Sequence, residues 1–132
     1  MKNLLWIDCT AAAVVGLAVV TLCGWLSRLY AVPRSLLLFT GIANLVYASY
    51  SFWLASRNRR PLGAIYALVS ANFAWALVCV YLVFTVADSA TGLGIAHLLG
   101  EAVFVTGLAS LEWHWRSRLL LRDRRFVDHP AA

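Results

Sequence analysis

Long apolar runs separated by short polar breaks dominate the chain. Residues 4–26, 36–55, 62–86 and 93–113 each read as a continuous apolar stretch. Each is close to the roughly 20 residues that a helix needs to cross the hydrocarbon core of a bilayer. The breaks at 27–35, 56–61 and 87–92 are short, and short connections make successive helices run antiparallel. The predicted fold is therefore all-α, an integral membrane four-helix up-down bundle over residues 1–115. Residues 116–132 follow as a basic tail, read as an interfacial helix that ends in a frayed terminus.

Local signals support these breaks. Pro33 and Pro61 stand where the second and third helices open, as the fixed proline φ favours. Ser35, or the turn around it, is expected to cap the second helix. The segment Asp88-Ser89-Ala90-Thr91-Gly92 forms a polar turn after the third. The first stretch is longer than the roughly 7–15 residues of a signal-peptide core. It holds Asp8 and is preceded by one basic residue, Lys2, so it is expected to be a retained helix.

Composition fixes the class. Hydrophobic residues make up 62% of the 132 positions and charged residues 13%, against about 45–50% and 25% in soluble domains. A soluble globular domain and a disordered linker are both excluded. Cys9, Cys23 and Cys79 are odd in number and lie inside apolar stretches. They read as packing residues rather than as a disulfide framework. No zinc-site spacing, P-loop or nucleophile elbow occurs, so no metal or cofactor is implied.

The net charge of +5 is unevenly spread. Lys2, Arg57, Arg59, Arg60, Arg116, Arg118, Arg122, Arg124 and Arg125 fall at the bundle end that holds both termini, and only Arg28 and Arg34 at the other. Cytoplasmic flanks are rich in Lys and Arg, so a plasma (inner) membrane protein with both termini in the cytoplasm is expected. Trp113 and Trp115 suit an aromatic belt at that surface. The arginines are expected to contact anionic lipid headgroups rather than nucleic acid.

Polar groups within spans are costly and mark sites or structural networks. His97 and Glu101 are four residues apart and share a helix face. Thr40, Asn44, Tyr47 and Ser51 form a stripe on the second helix, and Asn72, Trp75 and Cys79 another on the third. At about 1.5 Å per residue, Asn44 and Asn72 lie near the midplane and Glu101 in the outer half. The candidate site is thus Glu101 with His97 as acid/base or charge partners, and Asn44, Tyr47, Asn72 and Trp75 as ligand-binding residues. Tyr81 is a further candidate aromatic wall for a cation. The two asparagines could equally bond each other in a purely structural network.

Asp8 is expected to be shallow, within reach of Arg57 or Arg116, with Glu112 and His114 at the same level. Ala12-x-x-x-Gly16 and the glycines at 92, 94, 100 and 107 are expected to permit close helix packing within the bundle or in a homodimer.

Three functions fit these residues. One is binding or passage of a small solute or proton at the buried polar site. The second is membrane-embedded acid/base chemistry on a lipid-like or isoprenoid substrate, with Glu101 and His97 as the catalytic pair. The third is a structural subunit of a larger membrane complex. Whether the chain is an enzyme is left open by its residues.

Overall fold

The computed structural model describes residues 3–57 and 60–117. The described residues form four helices and no strand: α1 (Leu4–Tyr30), α2 (Arg34–Ser56), α3 (Leu62–Val86) and α4 (Gly92–His114). All four are long and apolar enough to cross a membrane. Of the tail predicted at 116–132, residues 118–132 lie outside the described residues.

Helix ends differ slightly from expectation, for identifiable reasons. α1 runs one turn past residue 26, to Tyr30, and stops where Ala31 adopts a left-handed conformation at φ 51°. Such a residue just past a helix closes it by satisfying its last carbonyls. Here the Ala31 N–H donates to the Ser27 carbonyl and the Ser27 hydroxyl donates to the Val32 carbonyl. α2 begins immediately after Pro33, so Ser35 lies inside the first turn and does not cap it. α3 begins immediately after Pro61. α4 is capped by Thr91, whose hydroxyl oxygen accepts from the Gly94 N–H 3.3 Å away.

Each helix buries one narrow stripe. On α1 the buried positions include Leu5, Cys9, Gly16, Val19, Cys23 and Leu26; on α4 they include Leu98, Val105, Leu108 and Glu112. With Ala12 between Cys9 and Gly16, and Glu101 between Leu98 and Val105, the steps alternate between three and four. That is the spacing of helices crossing at shallow angles. Most other large apolar side chains, such as Leu77, Phe84 and Val103, face outward, as lipid contact requires.

α1 packs along α2, and α3 along α4. The α1–α2 seam is closest at two glycines: a Cβ on Gly16 would stand 2.9 Å from the Gly41 carbonyl oxygen, and one on Gly41 would stand 2.7 Å from a Val20 methyl carbon. Gly94 of α4 lies equally close to Tyr30 at the end of α1, where the Thr91 N–H also donates to the Tyr30 carbonyl. By contrast Gly92, Gly100 and Gly107 meet nothing within 4 Å. The expected close packing of α4 through its glycines is thus confined to Gly94.

Two apolar clusters sit near opposite ends of the bundle. One holds Val19, Cys23, Leu26, Val32, Leu37, Val86 and Leu98. The other holds Leu5, Leu54, Ala55, Ile65 and Leu68. Beside the second cluster the Tyr50 hydroxyl of α2 donates to the Ala64 carbonyl of α3. A central cavity occupies the interior between the two clusters.

Candidate functional site

Glu101 is the most heavily bonded acidic group in the middle of the bundle. Its Oε1 accepts from Asn44 Nδ2 of α2 at 2.6 Å and from Trp75 Nε1 of α3 at 2.7 Å. One carboxylate oxygen therefore ties three helices together. Its other oxygen, Oε2, is buried and has no hydrogen-bond partner. His97 Nε2 faces it at 3.8 Å, one helical turn away, and the His97 ring stacks on Tyr30 at 5.3 Å. The structure thus places Glu101, His97 and Asn44 side by side, and adds Trp75 as an N–H donor to the same carboxylate.

A second polar group surrounds Asp8, and it departs from expectation. Asp8 Oδ2 accepts from the Tyr47 hydroxyl and from the Ser51 hydroxyl, each at 2.7 Å. Asp8 is 2% exposed, so the expected shallow salt bridge to Arg57 or Arg116 is replaced by two hydroxyl bonds. Arg57 instead lies over the Trp53 ring and Arg116 over the Trp113 ring, at 4.1 and 4.3 Å. The physical reason is facing rather than depth. Asp8 sits on the inward stripe of α1, among its buried positions.

Glu112 differs in the same way. It is fully buried at 0% exposure. Its Oε2 accepts from Asn72 Nδ2 at 3.2 Å, and its Oε1 is buried without a partner. Asn72 therefore bonds Glu112 rather than Glu101 or Asn44, and the asparagines do not pair. The signal was present in the spacing. Glu101, Val105, Leu108 and Glu112 advance by four, three and four residues, which puts both glutamates on one face of α4.

The two polar groups are joined by a cavity of about 550 Å³. Asp8, Asn44, Tyr47, Asn72, Trp75 and Glu101 supply its polar and aromatic lining, and small apolar side chains from α1, α2 and α3 supply most of the rest. That volume is in the range of pockets that hold drug-sized ligands. Tyr81 is 66% exposed and takes no part in the lining, against expectation. Cys79 is fully buried in a small cluster with Ala76, Ala102 and Val105, and all three cysteines are free and buried. Among the described residues no group of three or more His, Cys, Asp or Glu is arranged to hold a metal ion.

A comparison with known proteins found no matching family model, curated protein or solved structure. Any functional reading therefore rests on the site.

Proposed function

We propose that this is a small multi-pass membrane protein of up-down topology whose central cavity binds a small solute at Glu101. The observation that carries the reading is the combination of a roomy cavity with a half-satisfied carboxylate on its wall. A buried network that served only to fix the bundle would be expected to fill its interior. Here Asn44 and Trp75 fix the Glu101 carboxylate through Oε1 on the wall of an open cavity, and Oε2 is buried with no hydrogen-bond partner.

The excess of arginine and lysine at one end of the bundle supports both termini lying in the cytoplasm of an inner membrane. An impermeant maleimide would then label Ser89→Cys in intact cells and Ser56→Cys only after permeabilisation; the reverse pattern would overturn this orientation.

Binding is tested with compact probes that share one hydrocarbon cage and differ in head group: 1-adamantanamine, 1-adamantanol and adamantane-1-carboxylate. Equilibrium dialysis is run against protein in lipid nanodiscs, with empty nanodiscs subtracted. At least one probe is expected to bind, and Ala12→Phe, which fills the cavity, to abolish binding while Gly100→Ala does not. If no probe binds, or if Ala12→Phe binds as well as the parent, the solute reading fails.

The second reading, acid/base chemistry on a lipid-like substrate, is favoured by one feature. Val46, Ala71 and Phe104 line the cavity and are also exposed on the outer surface of the bundle, so an apolar substrate has a way in from the bilayer. In that reading Glu101 would exchange a proton with the substrate and His97 would assist.

A further inference from the structure

Resting on the solute-binding reading above, we infer that the ligand is a lipophilic cation: an apolar body with one protonated amine or similar cationic head, reaching the cavity sideways from the bilayer.

The charge of the head follows from the lining. The cavity wall contains two carboxyl groups, Asp8 on α1 and Glu101 on α4, and no lysine, arginine or histidine. An anion would find no positive group in this wall to offset its charge, and only acceptor oxygens wherever a carboxyl is ionised. A cation meets the opposite situation, in surroundings where charge interactions are weakly screened.

The position of the head is set by the unused acceptor. The Glu101 side chain is 8% exposed, and its Oε2 is buried with no hydrogen-bond partner. Its Oε1 is already held by Asn44 and Trp75. Oε2 is covered, so an ammonium beside Glu101 reaches it by a small rotation of the carboxyl or of the side chains over it, with Asn44 and Trp75 still holding Oε1. His97, which faces Oε2 from the neighbouring turn of α4, is held by stacking on Tyr30 and is not part of the cavity wall. Tyr47, Tyr50, Trp75 and Phe104 add aromatic rings to the wall, and aromatic faces attract cations.

The apolar body follows from the rest of the wall. Ala11, Ala12, Val15, Ala43, Val46 and Ala71 offer no hydrogen-bonding side chain. A polar solute such as a sugar would be stripped of water there without replacement bonds, which is strongly unfavourable.

The route follows from what is closed. One apolar cluster packs α1, α2, α3 and α4 together near the Tyr30–Thr91 contact, and another packs α1, α2 and α3 near Leu5. Among the described residues, both ends of the bundle are thus packed with apolar side chains. Val46 of α2, Ala71 of α3 and Phe104 of α4 combine exposure with cavity lining. All three lie near the middle of their helices, so the mouth opens at mid-depth, where lipid chains lie. A ligand that uses it must first dissolve in the bilayer, as a lipophilic amine does.

The same three probes decide the question. 1-Adamantanamine is expected to bind at least about tenfold more tightly than 1-adamantanol, the range of one hydrogen bond to a charged group. Adamantane-1-carboxylate is expected not to bind. Glu101→Gln keeps an acceptor for Asn44 and Trp75 but removes the charge, and is expected to erase the preference for the amine while leaving the thermal midpoint in detergent near that of the parent. Ala71→Trp, which narrows the mouth from the lipid side, is expected to slow association of the amine.

Equal binding of amine and alcohol, or tighter binding of the carboxylate, would overturn the cation inference while the solute-binding reading stands. Absence of binding by all three would overturn both. Because the head-group comparison is made on the unmodified chain, it decides the inference even if Glu101→Gln fails to fold.

Discussion

The close approach of α1 and α2 at Gly16 and Gly41 is a point where one methyl group should be decisive. At Gly16 an added Cβ would stand 2.9 Å from the Gly41 carbonyl oxygen and 2.9 Å from Leu45 Cγ, where ordinary contact begins at 3.4 Å. Leu45 can rotate away, but the carbonyl belongs to the α2 backbone and cannot. Gly16→Ala therefore forces α1 and α2 apart by about 0.5 Å locally, as inserting a methyl into a packed interior does at about 1–3 kcal/mol. Alanine also has a different intrinsic helix preference from glycine, worth up to about 1 kcal/mol in water. Gly100→Ala supplies that reference, because a Cβ there meets nothing within 4 Å. Unfolding free energies measured by steric trapping in bicelles should place Gly16→Ala below Gly100→Ala by about 1–3 kcal/mol. A gap smaller than about 0.5 kcal/mol, the usual scatter of neutral surface substitutions, would refute the view that this glycine pair sets the α1–α2 distance.

Other consequences can be measured in the same way. Asn72→Leu and Glu112→Leu should each destabilise the bundle, and the double variant should recover part of the loss; a coupling of about 0.6 kcal/mol is expected for an interhelical bond in a membrane, and a cycle with zero coupling would contradict the observed Asn72–Glu112 bond. Tyr47→Phe removes one of two hydroxyl donors to Asp8 and should lower stability by about 1–2 kcal/mol; an unchanged unfolding curve would mean that Asp8 does not depend on it. Cys9, Cys23 and Cys79 should react with a membrane-permeant maleimide only after unfolding in SDS, which mass spectrometry can follow. Rapid labelling of the folded protein would show that the buried stripes open.

Much of the fold was legible because hydrocarbon is an unforgiving solvent. Four apolar runs of spanning length left little choice but four helices, and the ends matched to within a turn. The miss at residue 26 arose because Ser27 and Arg28 are polar, yet helix ends at an interface tolerate polarity; Ala31, not composition, ended α1. The pairing of His97 with Glu101 was readable from a four-residue spacing on one helix. Asn44 was placed correctly because its stripe could face only inward. Asp8 and Glu112 were misread because depth was used as a proxy for exposure. Near a helix end a residue on the inward stripe is as buried as one in the middle of the helix, as Asp8 and Glu112 both are.

The sequence alone determined what is additive along the chain: apolar length, breaks and the stripe on each helix. These depend on local periodicity and on the solvent, so one chain of letters suffices. The tertiary structure decided which stripe meets which. It assigned Asn44 and Trp75 to Glu101, Asn72 to Glu112, and Tyr47 with Ser51 to Asp8. Partner choice depends on axial register and on crossing geometry, which the Gly16–Gly41 approach helps to set and which no periodicity encodes. The cavity is also a tertiary property. It exists because α1 packs along α2 and α3 along α4, and the space left between the two pairs is lined by residues of all four helices, Glu101 among them.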